Sequence, residues 1–439
     1  MVRNAFLKFG LICLVFVVQV GCVSFRLKVE DQSLNRFLEN SRAFNNSFTG
    51  FSLYDPEADK YLYEYNTNKF FTPASNTKIF TLYTAKKIFR DSIPGILYAE
   101  RNDTLFFTGT GDPTFLDEDF SIHPVHDFLK NSRATLVYAE RDFYNDRFGP
   151  GWAWDDYMYH FSPEKCSMPI YANLVYFSRY PHERKLNISP VRFNRSVMHL
   201  RDSVFSISRE ENENMYTVRH GPMPDTVDRR IPFIHSTPLF LRLLRDSLGK
   251  RIYQNSENVP ALKDVIYSQH IDSVIKKMMI VSDNFIAEQI LIMGAGHLFD
   301  TLDADLCIEY AIDQLIPELE DQIDWVDGSG LSRYNKFTPR AINVLLQKIY
   351  NEYPEELILD IFPKGGVSGT LKNNFKSKTP YIVAKTGSMS NVYNLSGYLI
   401  TKKGKWLVFS FMNNNFEVPT TDVKQEMEKI LMNIHEYYK

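Results

Sequence analysis

The sequence predicts a mixed α/β (α+β) fold in which the two ends of the chain form one core unit and a β-rich insertion interrupts it. Helix-like and strand-like apolar patterns occur together before residue 100 and again after residue 261. Between residues 101 and 260, short strand-like runs alternate with turn-rich stretches in which Pro and Arg are frequent. The 439 residues, 44% hydrophobic and 23% charged, are enough for two or three domains with hydrophobic cores.

The first 21 residues are predicted to be a signal peptide. Arg3 and Lys8 precede an apolar run over residues 9–20. This run is shorter than the roughly 20 residues that span a bilayer, and it is typical of an export signal. Gly21-Cys22 then predicts a lipobox, although Gln19 stands where Leu is usual, and plain secretion is the alternative. We expect a periplasmic lipoprotein that is held at the membrane only through a lipid on Cys22.

The first part of the core, residues 22–100, is predicted to contain two helices and two strands. Apolar residues recur at helical spacing over 31–44, and strands are predicted at 50–54 and 61–65. A helix is predicted from 73 to 89, with Thr72 as its N-cap and Pro73 in its first turn.

The insertion, residues 101–260, is predicted to be β-rich, with strands at 103–108 and 135–138 and a helix at 238–247. The second part of the core, residues 261–439, is predicted to return to helices and then strands. Its predicted helices are 262–280, 284–293, 339–350 and 421–438, and its predicted strands are 381–385, 395–401 and 406–412.

Charge and motif content exclude several classes of function. A net charge of −3 argues against nucleic-acid binding. The sequence has no C-x-x-C, H-E-x-x-H or P-loop pattern, so neither a metal nor a nucleotide cofactor is predicted. Cys166 and Cys307 could pair in an oxidising compartment, and the sequence leaves that question open.

The first motif that suggests chemistry is Ser75-Asn76-Thr77-Lys78 at the start of a predicted helix. Residues three apart share a helix face, so the Lys78 amine can reach the Ser75 hydroxyl. A serine hydroxyl becomes a good nucleophile only when a base removes its proton, and lysine can do so only if its pKa is lowered. The alternative is an ordinary capped helix with a surface lysine.

The second motif is Ser282-Asp283-Asn284, between two apolar helical runs. In an extended turn Ser282 and Asn284 can face the same way, so that Ser282 relays a proton and Asn284 holds a substrate amide. The alternative is a helix cap, which is also the expected role of Asp283.

The third motif is Lys385-Thr386-Gly387, which ends a predicted strand. Lys385 can attract a terminal carboxylate, and Gly387 allows another backbone to approach closely. Strict alternation sends Lys385 and Thr386 to opposite faces, so a local twist near Gly387 is expected if both line one cleft. The alternative is an edge strand protected by lysine.

The three motifs, in this order, are a signature of serine β-lactamases and penicillin-binding proteins. The chain resembles the D-alanyl-D-alanine carboxypeptidase/endopeptidase family, the low-molecular-mass penicillin-binding proteins with domains inserted after the S-x-x-K helix. Further similar stretches are 109–114 (GTGDPT), 149–156 (GPGWAWDD), 277–284 (KMMIVSDN) with Glu288-Gln289, 327–333 (DGSGLSR), 369–372 (GTLK) and 384–387 (AKTG) leading to 395–398 (LSGY).

This resemblance implies a transpeptidase/β-lactamase-like core, with an antiparallel sheet flanked by helices beside a helical lobe. Ser75 would form the acyl-enzyme, Lys78 would act as base, Ser282 would relay the proton, and the Ser75 and Ser388 N–H groups would form an oxyanion hole. The implied substrate-binding residues are Asn284, Lys385, Thr386, Gly387, Ser388, Trp152 and Asp155. The implied ligands are peptidoglycan peptides and β-lactams, and the insertion is shorter than is usual in the family.

Two other functions are compatible with the same motifs. One large class of β-lactamases deacylates with residues of an E-x-E-L-N stretch, where this chain has Ile316-Pro317-Glu318-Leu319-Glu320. The missing base argues against that function. The second alternative is a non-catalytic lipoprotein that binds peptidoglycan on the same fold.

Overall fold

The computed structural model describes residues 32–255 and 257–438. The predicted signal peptide and Cys22 lie outside the described residues. The α-helices of the described part are α1 Gln32–Asn40, α2 Lys78–Ile88, α3 Pro124–Asn131, α4 Thr237–Leu248, α5 Ile271–Ile280, α6 Asn284–Phe299, α7 Ala304–Tyr310, α8 Pro339–Glu352, α9 Glu355–Ile361 and α10 Thr420–Tyr437.

The β-strands, in the same part of the chain, are β1 Phe48–Asp55, β2 Lys60–Tyr65, β3 Ser92–Arg101, β4 Thr104–Gly109, β5 Thr135–Tyr138, β6 Leu174–Arg179, β7 Asn187–Ser189, β8 Val197–Arg201, β9 Ser206–Arg209, β10 Tyr216–His220, β11 Val227–Pro232, β12 Ile252–Gln254, β13 Asp264–His270, β14 Ile323–Asp324, β15 Lys336–Phe337, β16 Ile382–Met389, β17 Val392–Ile400 and β18 Trp406–Asn414.

The core sheet joins the two ends of the chain. Its strand order is β16-β17-β18-β1-β2, and every neighbouring pair is antiparallel. Strand β1 pairs with β18 through partners such as Phe51 with Phe411 and Leu53 with Phe409. The predicted mixed fold, with an antiparallel core sheet built from both ends of the chain, is therefore confirmed.

Helices cover both faces of this sheet, because the side chains of each central strand alternate between two apolar cores. Phe409 and Phe411 pack towards α1 and α10, where Met427, Ile430 and Ile434 recur at helical spacing. Val408 and Met412 point the other way, into a helical lobe formed mainly by α2 and α5–α9. The lobe and the sheet edge at β16 enclose the region where the three sequence motifs lie.

The insertion consists of one mixed five-stranded sheet, in the order β12-β5-β4-β3-β13, and two three-stranded sheets, β11-β6-β7 and β8-β10-β9. The first and last strands of the insertion, β3 and β13, pair antiparallel, as Tyr98 with Asp264 shows. Both strands therefore belong to the inserted sheet, which spans residues 92–270. The limits predicted from sequence, 101 and 260, fall inside this span.

The helix predicted at 262–280 is wrong in its first part. Residues 264–270 form β13, and α5 begins only at Ile271. Leu262, Val265 and Ile266 recur at helical spacing, but Val265 and Ile266 lie on a strand because β3 offers a long-range pairing partner.

Cys166 and Cys307 do not pair in the structure. Both thiols are free and buried, and burial raises the pKa of each to about 12. No helix within residues 32–255 and 257–438 is both long and apolar enough to cross a bilayer.

Candidate active site

The structure brings the three sequence motifs together at the edge of the core sheet. Lys78 Nζ lies 3.0 Å from Ser75 Oγ and 2.7 Å from Asn284 Oδ1. Lys385 Nζ lies 2.8 Å from Ser282 Oγ. Stretches more than 100 residues apart in sequence therefore meet at one site.

The Ser75 turn differs from the predicted helix start. Residues 74–77 form a 3₁₀ turn, preceded by Pro73, and α2 begins at Lys78. Thr72 is not the N-cap, because Pro73 occupies that position; the Thr72 amide donates instead to Asn414 Oδ1 of β18 at 2.7 Å. Ala74 has a φ of +48°, a conformation that a residue with a Cβ rarely adopts. The serine thus lies in a constrained turn and not in a regular helix.

Buried amides hold this turn on the sheet, and the sequence analysis did not identify them. Asn76 is fully buried, donates to the Lys385 carbonyl at 2.8 Å and accepts from Ser396 Oγ at 2.7 Å. Asn394 Nδ2 donates to the carbonyls of Thr72 and Pro73, both at 2.9 Å. Polar residues inside the otherwise apolar strands β17 and β18 were the available signal, since a buried amide needs a partner.

Lys78 is buried and lies within hydrogen-bonding distance of three oxygens. Besides Ser75 and Asn284, its Nζ donates to the Ser329 carbonyl at 2.6 Å. Burial lowers the pKa of Lys78 to about 8, while the carboxylates of Asp327 and Glu288 oppose the shift. A substantial fraction of neutral amine is therefore present close to neutral pH, which is what a base for Ser75 requires.

The Ser282–Asn284 segment is the predicted turn between two helices, here α5 and α6. Ser282 has a φ of +62°, and Asp283 caps α6 by accepting from the Ile286 amide at 2.9 Å. The capping role expected for Asp283 is thus correct. Asn284 Nδ2 donates to the Phe161 carbonyl of the insertion at 2.9 Å.

Strand β16 carries the third motif, Lys385-Thr386-Gly387. Its pairing with β17 continues without a shift from Ile382 to Met389, so the twist expected near Gly387 causes no irregularity of register. Lys385 is fully buried, and burial together with the charge of Lys78 sets its pKa well below the usual value. Thr386 Oγ1 instead meets Thr370 Oγ1 at 2.8 Å, and Ser388 is exposed near the strand end.

Gly387 allows β16 to lie directly against the Ser75 turn. A Cβ at this position would be 2.4 Å from the Pro73 carbonyl oxygen and 3.2 Å from the Ser75 amide nitrogen. The backbone that approaches Gly387 closely in the structure is that of the turn that carries the serine.

The loop that begins at Asp327 contacts both Lys78 and the Ser75 turn. The buried Asp327 carboxylate accepts from the Gly330 and Ser332 amides, at 2.7 and 2.6 Å. Its Oδ2 also accepts from Trp152 Nε1 at 2.9 Å, which ties the insertion to the loop. Asp327 thus fixes the Ser329 carbonyl that holds Lys78, a role that sequence reasoning missed.

Of the two predicted residues of the insertion, the structure brings only Trp152 into this network. Asp155 is exposed in the short 3₁₀ turn Trp154–Met158 and makes no hydrogen bond to the three motifs. Its neighbour Asp156 is half-buried, and burial, with the nearby charge of Asp155, raises the pKa of its carboxyl. Within the described residues, no three or more potential metal ligands form a group.

Gly330 provides a test of how tightly this loop presses on the Ser75 turn. Gly330 and Gly404 both have left-handed φ values, +78° and +81°, but a Cβ on Gly330 would lie 1.9 Å from the Ala74 carbonyl oxygen, while Gly404 has open space. We expect Gly404→Ala to cost about 1–2 kcal/mol from backbone strain alone. Gly330→Ala should cost more and should slow acylation of Ser75 by about 100-fold, because a shift of about 1 Å at a reacting group has that effect. Urea unfolding measures the loss of stability, and the rate of labelling by a fluorescent penicillin measures the acylation rate. Equal stability losses and equal labelling rates in the two variants would contradict this packing.

Glu288 is a buried carboxyl beneath the same loop. Its Oε1 accepts from the Ser329 amide at 2.8 Å, and its Oε2 is buried without a hydrogen-bond partner. Burial, and then the charge of Asp327, raises the pKa of Glu288, while Lys165 lowers it.

Because the folded state disfavours the ionised form of Glu288, this residue should lower stability as pH rises from the usual carboxyl pKa through the raised value. We expect Glu288→Gln, which can still accept from Ser329, to gain about 1–3 kcal/mol relative to the native chain at pH 8 but not at pH 5. Urea unfolding at the two pH values checks this, and a difference independent of pH would contradict it.

The sequence matches a known protein family over most of its length. Residues 30–232 and 237–435 match the family model described as D-Ala-D-Ala carboxypeptidase 3 (S13). D-alanyl-D-alanine carboxypeptidase DacB of Haemophilus influenzae is 23% identical over 425 residues, covering 86% of this chain and 88% of that protein. Penicillin-sensitive carboxypeptidase A of Dictyostelium discoideum is 24% identical over 450 residues, covering 87% and 85%.

Solved structures agree with the fold. The crystal structure of penicillin binding protein 4 (dacB) from Haemophilus influenzae superposes with a TM-score of 0.74 at 19% identity, covering 92% of this chain and all of that chain. A second structure of that protein, complexed with a β-lactam, gives a TM-score of 0.69 at 18% identity over the same shares of the two chains.

Proposed function

The chain belongs to the D-Ala-D-Ala carboxypeptidase 3 (S13) family, and we propose that it is a serine-type carboxypeptidase, endopeptidase or both, acting on peptidoglycan stem peptides. The observation that carries the proposal is the pairing of Ser75 Oγ with the buried Lys78 amine at 3.0 Å. Related proteins named as D-alanyl-D-alanine and penicillin-sensitive carboxypeptidases support the same activity and acylation by β-lactams.

In the acylation step, the neutral Lys78 amine takes the Ser75 hydroxyl proton as the oxygen attacks the substrate carbonyl carbon. Asn284 Oδ1 and the Ser329 carbonyl hold Nζ in place, so the base needs no reorientation. The negative charge that develops on the substrate oxygen would be stabilised by the Ser75 and Ser388 amides, the former in a 3₁₀ turn and the latter near the end of an edge strand.

The leaving side of the reaction is assigned to Ser282, Lys385 and Thr386. Ser282 Oγ already accepts from Lys385 Nζ and would relay to the departing amine the proton that Lys78 takes from Ser75, giving its own hydroxyl proton and receiving that one in its place. A terminal carboxylate near Lys385 would favour its charged form, which burial and Lys78 disfavour before substrate binds. Gly387 and Trp152 contribute by holding the Ser75 turn and the Asp327 loop, and Asp155 is proposed only as a residue near the substrate's diamino-acid side chain.

The segment compared above with E-x-E-L-N supports a peptidase over a β-lactamase. Ile316, at the position of the deacylating glutamate, is buried and has no titratable group. Glu318 is exposed and pairs with Lys348 Nζ at 2.6 Å. Penicillin should therefore form a lasting adduct on Ser75.

We also propose that the chain is exported and anchored as a periplasmic lipoprotein. The support is the sequence of residues 1–21 and the lipobox cysteine Cys22.

Digestion of purified muropeptides tests the proposed activity. We expect the protein to remove one alanine from monomeric pentapeptides, to convert cross-linked dimers to monomers, or to do both, with products identified by mass spectrometry. Fluorescent penicillin should label the protein covalently. Unchanged muropeptides together with an absence of labelling would refute the proposal and favour the non-catalytic binding protein.

A further inference from the structure

A cavity of about 660 Å³ opens directly beside the Ser282 turn, between the core and the insertion. The turn forms one wall with residues 281–284, and the insertion forms the other with residues 158–161, 205–207 and 228–231. Two of the turn residues already contact the lysines of the site, since Ser282 bonds to Lys385 and Asn284 to Lys78. The cavity therefore shares Ser282 and Asn284 with the candidate site.

The cavity has apolar walls that are partly open to water. Leu174 and Ile231 are buried in its wall, and Phe205 and Ile207 are half-buried. At the rim, Tyr159 and Val281 are 53% and 59% exposed. Apolar surface left open in a concave site of this kind is typical of a ligand-binding pocket.

One cationic side chain on the cavity wall, that of Arg229, is unpaired within the stretches that the structure describes, whereas Arg230 lies between two carboxylates. Asp119 and Asp228 lie 3.6 and 3.9 Å from the Arg230 guanidinium, and Asp283 caps α6. Arg229 is exposed on the cavity wall and has no hydrogen-bond or ion-pair partner in the described part of the chain. Its free guanidinium suits a carboxylate on the ligand.

We propose that this cavity binds the second stem peptide of a cross-link, the peptide that leaves after Ser75 attacks. The inference rests on the proposed function, in which the leaving amine lies against Ser282. A single departing D-alanine would leave most of the cavity empty, because cavities of about 300–1,000 Å³ enclose molecules of drug size. A second stem peptide would place its carboxylates at Arg229 and its short alkyl side chains against Phe205 and Ile207. The cavity thus gives the site a specificity for cross-linked substrate.

Charge reversal at Arg229 tests the cavity separately from the chemistry. We expect Arg229→Glu to lower kcat/KM for a purified cross-linked muropeptide dimer by about tenfold, mainly through KM. Release of D-alanine from a monomeric pentapeptide and labelling by fluorescent penicillin should stay within about twofold of the native chain. Arg201→Glu, an exposed change on β8 outside the cavity, is the matched control and should leave all three unchanged.

An equal loss on dimer and monomer, or no loss on either, would overturn the cavity assignment. If the native chain is acylated by penicillin and releases D-alanine but never cleaves dimers, the cavity proposal alone fails. If the native chain shows no acylation and no cleavage, the proposed function fails. The cavity assignment is then tested by measuring the binding of a cross-linked dimer. In that case dimer affinity of Ser75→Ala is compared with that of Ser75→Ala combined with Arg229→Glu, and equal affinities would exclude the cavity as a peptide site.

Discussion

Replacing Ser75 with alanine is expected to abolish both penicillin labelling and D-alanine release, with a loss of at least about 10³-fold in each rate. The change removes the only atom of the site that is proposed to form a bond to the substrate. The fold should persist, because the 3₁₀ turn is held by Asn76 and Asn394, and Lys78 keeps its contacts to Asn284 and the Ser329 carbonyl. The measurements are covalent labelling on a gel and mass spectrometry of digested pentapeptide.

Ser203→Ala is the control for this prediction, since Ser203 is an exposed serine of the insertion. It should label and digest as the native chain does. A penicillin adduct that survives in Ser75→Ala would assign the nucleophile to another residue. Loss of labelling together with a large fall in melting temperature would instead indicate that the hydroxyl has a structural role.

The local structure around the motifs could be predicted from the sequence because it depends on residues that are close together in the chain. The spacing between Ser75 and Lys78 places both on one turn whether that turn is 3₁₀ or α-helical. The apolar runs around Ser282 predicted two helices with a turn between them, and α5 and α6 have that arrangement. The antiparallel core followed from the resemblance, whereas the limits of 101 and 260 predicted for the insertion rested on a change in residue pattern.

The sequence could not predict which distant groups complete the site. The Ser329 carbonyl that holds Lys78 is 251 positions away, and the Phe161 carbonyl that meets Asn284 is 123 positions away. Such contacts depend on tertiary packing, for which a single sequence has no periodic signal. The same reason explains β13, whose residues form a strand only because β3 lies beside them.

Replacing Lys78 with alanine is expected to leave a folded protein that is acylated at least about 10³-fold more slowly. Among the described residues, Ser75 would then have no base within hydrogen-bonding distance, since Lys385 Nζ is engaged by Ser282 and the Thr386 carbonyl. In the native chain the acylation rate should fall about tenfold per pH unit below the pKa of Lys78, which burial lowers to about 8. Lys78→Ala should lose this dependence, which penicillin labelling between pH 6 and 9 would show.

The same burial makes Lys78 costly for stability, which is why its removal should not unfold the chain. A lysine whose pKa falls from 10.5 to about 8 on folding lowers stability below pH 8 by about 3 kcal/mol, and that loss is recovered as pH rises from 8 towards 10.5. Lys78→Ala removes this penalty but leaves Asn284 Oδ1 and the Ser329 carbonyl without their donor, at about 1–3 kcal/mol each. The gain from removing the buried charge and the cost of the two unpaired acceptors nearly cancel, so the free energy of unfolding in urea at pH 7 should change little. Lys87→Ala on the same helix is the control and should also change it little. Near-normal acylation in Lys78→Ala would require a different base and would exclude the mechanism proposed for this site.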